Sequence, residues 1–337
     1  MICGIVSSYI VISRDDSNIK KSRKLKVCVA IPDSSLSDEQ TLRDKTIKIS
    51  RLARSFSIFG VNTVYIYKDK KSSTSKIDKK ILPLILNYLN TPQYLRKFLY
   101  SQIPELQYAG ILHPIQTPHH VKKIHVSKIK VGDIRMGIIQ RKKISNSSMG
   151  EKNQYFINVG LDKPVLFYGN GYNGKIVTAK FISTTPILKA IEAQNKDITQ
   201  YWGYEIIKLS SLDFLLSTIC NSNLGYSESL DRSNQISRNK LTNITLENST
   251  IVLTSKYGTL IQDKELLLRK SISSKEIILI IFGSPKHGLN DFISNNTLSL
   301  LTKKSFYLNM FPHQNTETIR LDEAILGTLS ILNILKK

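Results

Sequence analysis

The sequence predicts an α/β fold, a parallel sheet flanked by helices, interrupted midway by a small β-barrel. Three observations predict it. A strand, a helix and a second strand succeed one another between Leu25 and Tyr67. From Val121 to about Thr199 short β-like runs follow one another, with no helix of length between the first four. The last part of the chain then returns to strand–loop units and closes on a helical pattern from Leu321 to Leu335.

Leu25 to Ile31 (LKVCVAI) is a near-continuous apolar run, the pattern of a strand buried on both faces. Beyond Pro32, Ser37-Asp38-Glu39-Gln40 reads as a capping box. Leu42, Ile49, Leu52, Ala53, Phe56 and Phe59 keep a helical period, and Gly60 stands where a helix stops. Val61 to Tyr67 is the next strand, and strand–helix–strand at this spacing makes a parallel unit. Lys68 to Lys80 is Ser/Lys-rich and reads as a surface loop. Helical patterns follow at Lys79–Leu89 and Gln93–Tyr100, with Pro92 well placed to start the second.

The character changes at Leu112-His113-Pro114 and Pro118-His119-His120. Runs at Ile129–Val131, Met136–Gln140, Tyr155–Val159, Pro164–Phe167 and Ile176–Phe181 predict a small antiparallel barrel. The stretch is basic, with Lys122, Lys123, Lys128, Lys130, Arg135, Arg141, Lys142 and Lys143 close together. Tyr155, Phe156, Phe167, Tyr168, Tyr172 and Phe181 are interspersed. Cations beside aromatic faces are what an OB-like module uses to hold single strands. The competing assignment of these rings is the barrel's own core, and the sequence leaves both open.

Tyr201-Trp202-Gly203-Tyr204 marks the return, and Ile206 to Ile219 is apolar and helix-capable. Asn221 to Asn248 is polar, Ser/Asn-rich and reads as loop. Three strand ends then come in succession: Ile251–Leu253 into Thr254–Gly258, Ile277–Phe282 into Gly283–Leu289, and Ser305–Phe311 into Pro312–Arg320. Parallel sheets bind ligands beyond the carboxyl ends of their strands, and Gly283 and Gly288 allow close backbone approach to a flat ring. Asp322 and Glu323 in the first turn of the last helix complement its dipole.

Composition bounds the function. The 48 Lys and Arg against 26 Asp and Glu give a formal charge of +22, a field that favours polyanions, with nucleic acid the usual partner. Three cysteines form no CxxC pair or metal spacing, which points to a reducing compartment. No leader pattern or membrane-length apolar run is present, so a soluble cytoplasmic chain is expected. GxSxG, HExxH, P-loop and GxGxxG motifs are all absent. His119-His120 have no carboxylate or thiol at matching spacing, so no metal is expected.

Several ordered motifs resemble a known family: Val29-Ala30-Ile31-Pro32-Asp33-Ser34, Ala53-Arg54 with Ile58-Phe59-Gly60-Val61, and Tyr88-Leu89-Asn90-Thr91-Pro92-Gln93-Tyr94-Leu95-Arg96-Lys97. Leu106-Gln107-Tyr108-Ala109-Gly110, Pro118-His119-His120, Tyr201-Trp202-Gly203-Tyr204, Phe282-Gly283 with Gly288-Leu289, and Thr318-Ile319-Arg320 with Glu323-Ala324-Ile325 continue the match. From about residue 25 to 333 the chain resembles the SPOUT-class RNA methyltransferases, specifically the RNA uridine-N3 methyltransferase family of archaea and eukaryotes.

That resemblance implies a trefoil-knotted α/β domain formed by residues 25–112 and 201–337, after an N-terminal extension of residues 1–24. It implies an OB-like RNA-binding domain inserted at 113–200, and a homodimer. True knots are rare, so pattern alone would not propose one. S-adenosylmethionine is expected among Thr254, Gly283, Ser284, Gly288, Asn309, Phe311, Pro312, Gln314, Thr318, Ile319 and Arg320. The chain departs from its relatives at Ser284-Pro285-Lys286-His287 and Asn290, where a second Gly and a Glu are frequent, so a differently shaped adenosine pocket is expected.

The implied reaction is methylation of uridine N3 in large-subunit ribosomal RNA. N3 carries a proton that must leave, so a cation for the developing oxyanion and a base are sought. Arg54 is the candidate for that cation or for phosphate positioning, and Glu323 is the candidate base. Pairing masks N3, so the RNA must be unpaired or flipped. Arg43, Arg96, Lys97, His119, His120, Lys122, Lys123, Arg141, Lys142 and Lys143 are the candidate RNA contacts. Two alternatives stand beside this reading: a non-catalytic ribosome-assembly factor, and the same enzyme class acting on a ribose 2′-hydroxyl or a guanine nitrogen.

Overall fold

The computed structural model describes residues 25–72, 75–144, 152–169, 171–221, 244–302 and 304–336, without the side chains of 141–144, 152–154 and 221. The expected N-terminal extension and most of the Asn221–Asn248 loop lie outside the described residues. Numbered along the chain, six strands form one sheet: β1 (Lys26–Pro32), β2 (Val61–Tyr67), β8 (Glu205–Leu209), β9 (Ser249–Leu260), β10 (Ile277–Ile281) and β11 (Ser305–Asn309). Five more form a barrel: β3 (Ile134–Ile144), β4 (Lys152–Asn158), β5 (Val165–Tyr168), β6 (Ile176–Ser183) and β7 (Lys189–Glu192). The helices are α1 (Leu42–Ile58), α2 (Lys76–Asn90), α3 (Gln93–Leu99), α4 (Leu212–Asn221), α5 (Ile261–Ser274), α6 (Asn295–Leu301) and α7 (Leu321–Leu335).

The sheet order is β11-β9-β10-β1-β2-β8, and every neighbouring pair is parallel. Alternation along β1 sends Val27, Val29 and Ile31 to one face, and Cys28 and Ala30 to the other. The first face packs against α1, α2, α5 and α7, and the second against α4 and α6. This is why the strand reads as a continuous apolar run. Each fully buried aliphatic side chain of this core contributes about 1.5–3 kcal/mol.

Local signals were displaced in places. The N-cap of α1 is Thr41, whose hydroxyl accepts from the Asp44 amide and donates to the Asp44 carboxylate, not Ser37. Asp38 and Glu39 instead hold Lys48 and Arg320. Gly60 ends α1 with φ +65°, as its position predicts. Ile206–Ile219 is not one helix: its first residues pair with β2 as β8, and the helix starts after Ser211, which caps the Phe214 amide.

The barrel is closed in the order β3-β4-β5-β7-β6. It is not wholly antiparallel, because β5 and β7 run parallel. The predicted strand at Ile129–Val131 is absent: a single 3-10 turn, Val126–Lys128, precedes it, and only Ile129 is buried. Phe167 and Phe181 are core, whereas Tyr168 and Tyr172 are exposed.

Candidate functional site

Sheet order reverses at β9. The chain moves inward from β9 to β10, beside β1, and then jumps outward to β11 on the far side of β9. Loops leaving the carboxyl ends of these strands diverge at such a point and leave a crevice. A cleft of about 340 Å³ opens there, within the range of small-molecule sites. Its walls are Thr254–Tyr257, the loop Phe282–Leu289, Asn309–Phe311 with Gln314 and Glu317–Ile319, and Leu321, Ala324 and Thr328 of α7.

The first wall is an excursion within β9. Tyr307 pairs with Leu253, but the next residue of β11, Leu308, pairs with Thr259, so residues 254–258 are pushed out of register. The return to the sheet needs Gly258, where a Cβ would lie 2.5 Å from the Leu308 carbonyl carbon. The excursion is laced down on three sides. Thr254 Oγ1 donates to the Ile281 carbonyl at 2.9 Å, Tyr307 donates to Ser255 Oγ at 2.8 Å, and Lys256 Nζ reaches the Glu317 carbonyl at 3.0 Å.

The second wall contains Ser284-Pro285-Lys286-His287, the departure from the resembled family. It closes as a hydrogen-bonded turn, with Ser284 N donating to the His287 carbonyl at 3.0 Å and His287 N to Ser284 Oγ at 2.9 Å. Gly283 makes room for it, since a Cβ there would lie 3.1 Å from the His287 oxygen. Asp291 fastens the loop's far end by accepting from Gly288 N and Lys71 Nζ. The Lys71 ammonium holds the Asp291 carboxyl below its usual range.

Nine of the expected ligand residues come together in this cleft: Thr254, Gly283, Ser284, Gly288, Asn309, Phe311, Gln314, Thr318 and Ile319. Pro312 and Arg320 are not among its lining residues. Arg320 turns away to Glu39 at 2.9 Å. Asn309 lines the cleft with both ends of its amide used, Nδ2 donating to the Lys256 carbonyl and Oδ1 accepting from Phe311 N. Lys256 and Tyr257 line it from the Thr254–Gly258 strand end that the sequence singles out. Thr328 was not among the expected residues and sits in α7 with its hydroxyl buried and without a hydrogen-bond partner. Helical spacing Leu321–Ala324–Thr328 is the signal that could have found Thr328.

Arg54 and Glu323 do not line the cleft. Arg54, exposed on α1, donates to the Pro114 carbonyl at 3.0 Å. Glu323 accepts from Arg320 N at 3.0 Å and so caps α7.

The expected RNA contacts divide by exposure. Arg43, Lys97, Lys122 and Lys123 are exposed. Arg141, Lys142 and Lys143 lie on β3 opposite β4, with side chains outside the described residues. His119 is fully buried and His120 partly so, and both rings are turned to backbone rather than to the surface. Each Nε2 faces a carbonyl at 2.8 Å, of Asn90 for His119 and Leu89 for His120, so each carries the proton there. Arg96 bonds the Thr91 and Leu89 carbonyls. These three side chains satisfy the carbonyls at and just beyond the end of α2, groups no helix can satisfy internally.

No helix among the described residues is long and apolar enough to cross a membrane, and they contain no group of three metal-ligating side chains.

Comparison with known proteins gives concordant matches. A profile of the family described as "Putative RNA methyltransferase" matches residues 26–332. A 28S rRNA (uridine-N(3))-methyltransferase of Drosophila melanogaster is 27% identical over 334 residues, covering 90% of this chain and 61% of that protein. The protein of the same description from Mus musculus is 30% identical over 115 residues, covering 31% of this chain and 30% of its own length. An uncharacterised protein of Halobacterium salinarum is 22% identical over 321 residues, 91% of this chain and 98% of that protein. The chain thus spans less than two thirds of the length of the fly and mouse proteins it matches.

Proposed function

The chain belongs to this RNA methyltransferase family, and from that premise we propose that it transfers a methyl group from S-adenosylmethionine to N3 of an unpaired uridine in large-subunit ribosomal RNA. The observation that carries the reading is the cleft at the sheet's switch point, inside the matched span.

Its residues suit the cofactor. Phe282, Leu289, Met310, Phe311 and Leu321 offer apolar surface to a purine ring, and the glycines at 283 and 288 put no side chain in its way. The Thr328 hydroxyl, buried without a partner, is the kind of group a ligand satisfies. When bound, S-adenosylmethionine supplies an electrophilic methyl group. The protein's task is then to orient donor and acceptor and to exclude water.

Arg54 is assigned to steady the charge that develops on the uracil ring as N3 loses its proton, and Glu323 to take that proton. Neither lines the cleft of its own chain, so the reading requires a homodimer that brings one copy's Arg54 to the other's cleft. The α1/α7 face fits such a contact. Ile58, Leu326 and Ile334 are exposed on it, and Asp322, 5% exposed, has one carboxylate oxygen without a partner. α7 lines the cleft with Ala324 and Thr328 while presenting Leu326 and Ile334 outward.

The path after β10 is read as the trefoil knot: β11 lies outside β9, and α7 returns to pack on α1. Residues 113–200 are read as an inserted OB-like domain, supported by a five-stranded closed barrel whose third and fifth strands pair in parallel.

A calorimetric titration of the purified chain with S-adenosylmethionine tests the proposal. Saturable one-to-one binding is expected; no binding would overturn it. The absence of Arg54 and Glu323 from the cleft lining favours one rival, a non-catalytic RNA-binding assembly factor. Cofactor binding without methyl transfer to any RNA would support that rival.

A further inference from the structure

The barrel carries an aromatic surface that the cofactor cleft does not use. On β5 Val165 and Phe167 point inward, 0% and 3% exposed, so alternation turns Tyr168 outward, and it is 50% exposed. The neighbouring strand β7 pairs Leu166 with Lys189 and Tyr168 with Ile191, and it buries Ala190. Lys189 therefore shares the outer face with Tyr168, and its ammonium lies 5.9 Å from the ring centroid, within cation–π range.

A second ring stands beyond the end of β5. Tyr172 is 71% exposed, on a turn sewn to the barrel wall. Gly174 N donates to the Ile139 carbonyl at 2.8 Å, Ile139 N to the Lys175 carbonyl at 2.9 Å, and Lys175 N to the Tyr172 carbonyl at 3.1 Å. Gly171 lets the turn press against the wall, since a Cβ there would lie 2.4 Å from Ile139 Cδ1. A ring this exposed on a turn this well anchored gives little to folding, because its apolar face stays in water.

We propose that Tyr168 and Tyr172, four residues apart along the chain, each offer a stacking face to a base of unpaired RNA, with Lys189 placed for the phosphate of the nucleotide on Tyr168. The chemistry matches a single strand: every base has a π-face, and the surrounding segment 113–200 holds fourteen Lys and Arg against five Asp and Glu. That excess of cation also argues against a basic or neutral protein partner for these rings. The inference deepens the RNA-methyltransferase reading by naming where unpaired substrate is held outside the reaction site.

The test is fluorescence anisotropy of a short labelled oligouridylate binding to the full-length protein, across a salt series. Tyr168→Ala and Tyr172→Ala should each weaken binding about tenfold, the size of one lost stacking contact, with the salt slope unchanged. Tyr168→Phe and Tyr172→Phe should bind as wild type. Lys189→Gln should lower the salt slope by about 0.7, one phosphate contact on a single strand. Alanine variants that bind like wild type would overturn the stacking role, as would equal losses from phenylalanine and alanine. So would loss of an acidic protein partner with RNA binding intact. The same variants are titrated with S-adenosylmethionine: unchanged binding shows that the fold is intact. No cofactor binding in the wild type would sink the enzyme reading while leaving the stacking role to stand or fall on its own result.

Discussion

Thr328 holds a hydroxyl that no protein group satisfies, fully buried at a wall of the cleft. Leaving such a group unpaired costs about 1–3 kcal/mol, so its presence calls for a partner from outside the chain. Thr328→Val keeps the shape and removes the polar atom. We expect S-adenosylmethionine affinity to fall about tenfold while the thermal midpoint stays level or rises; calorimetry and melting read the two effects, and unchanged affinity would place the hydroxyl outside the ligand's reach. Gly258 answers a different demand, because its missing Cβ is what lets the β9 excursion return to β11. Gly258→Ala should destabilise the protein by about 1–3 kcal/mol in urea unfolding, and a loss under about 0.5 kcal/mol would mean the excursion can shift freely. Residue type alone could not separate these roles. Asn309 and Thr328 are both polar and both line the cleft, yet the Asn309 amide is used up by backbone and the Thr328 hydroxyl is not.

Among the elements, the end of α2 is where the barrel segment's two ends meet the sheet domain. His119 and His120 cap it, Thr117 Oγ1 faces both Nδ1 atoms at 3.1 and 2.6 Å, and Asn90 holds Tyr204 through both its amide atoms. Gly203 is required where the chain returns, with φ +83° and a Cβ position 2.2 Å from Asn90 Oδ1. Burial first, then the neighbouring His119, depresses the His120 pKa to about 4, and burial lowers that of His119 as well. The unfolded chain, with histidine near 6.5, binds more protons between those values. The stability from neutral His120 is therefore fully present above about pH 6.5 and is lost as pH falls towards about 4, by roughly 1.4 kcal/mol per pH unit, and the depressed His119 acts in the same direction. His120→Gln should flatten the dependence of the thermal midpoint on pH in that window; an unchanged slope would show that other groups carry it. The Pro118-His119-His120 motif was legible as a boundary, but its use as a helix cap depends on Asn90 and Leu89, some thirty residues earlier.

Across the whole molecule, the strands that read most clearly from sequence are β1, β10 and most of β2, because burial on both faces leaves little polar alternation to confuse them. Helix α5 gave no clear period: Leu268 and Ile272 are buried, but Leu266 and Leu267 are exposed beside them. Strand β7 is four residues long and is defined only by its parallel partner β5, a contact invisible to local pattern. Helix α7 matched its predicted bounds, and its outward Leu326 and Ile334 bear on assembly. A stable dimer through this face would bury about 1,200–2,000 Å² in total. Leu326→Glu should convert a dimer to monomer by light scattering and abolish methyl transfer; a wild-type monomer would contradict the shared-site reading.

Methyl transfer to uridine N3 is read by incubating the protein with labelled S-adenosylmethionine and fragments of large-subunit ribosomal RNA, then identifying the labelled nucleoside by mass spectrometry. 3-Methyluridine is expected, formed on unpaired fragments and suppressed when the same segment is annealed to its complement. Label in a ribose methyl or a methylguanosine would contradict the target atom, and no label with cofactor bound would contradict the enzyme.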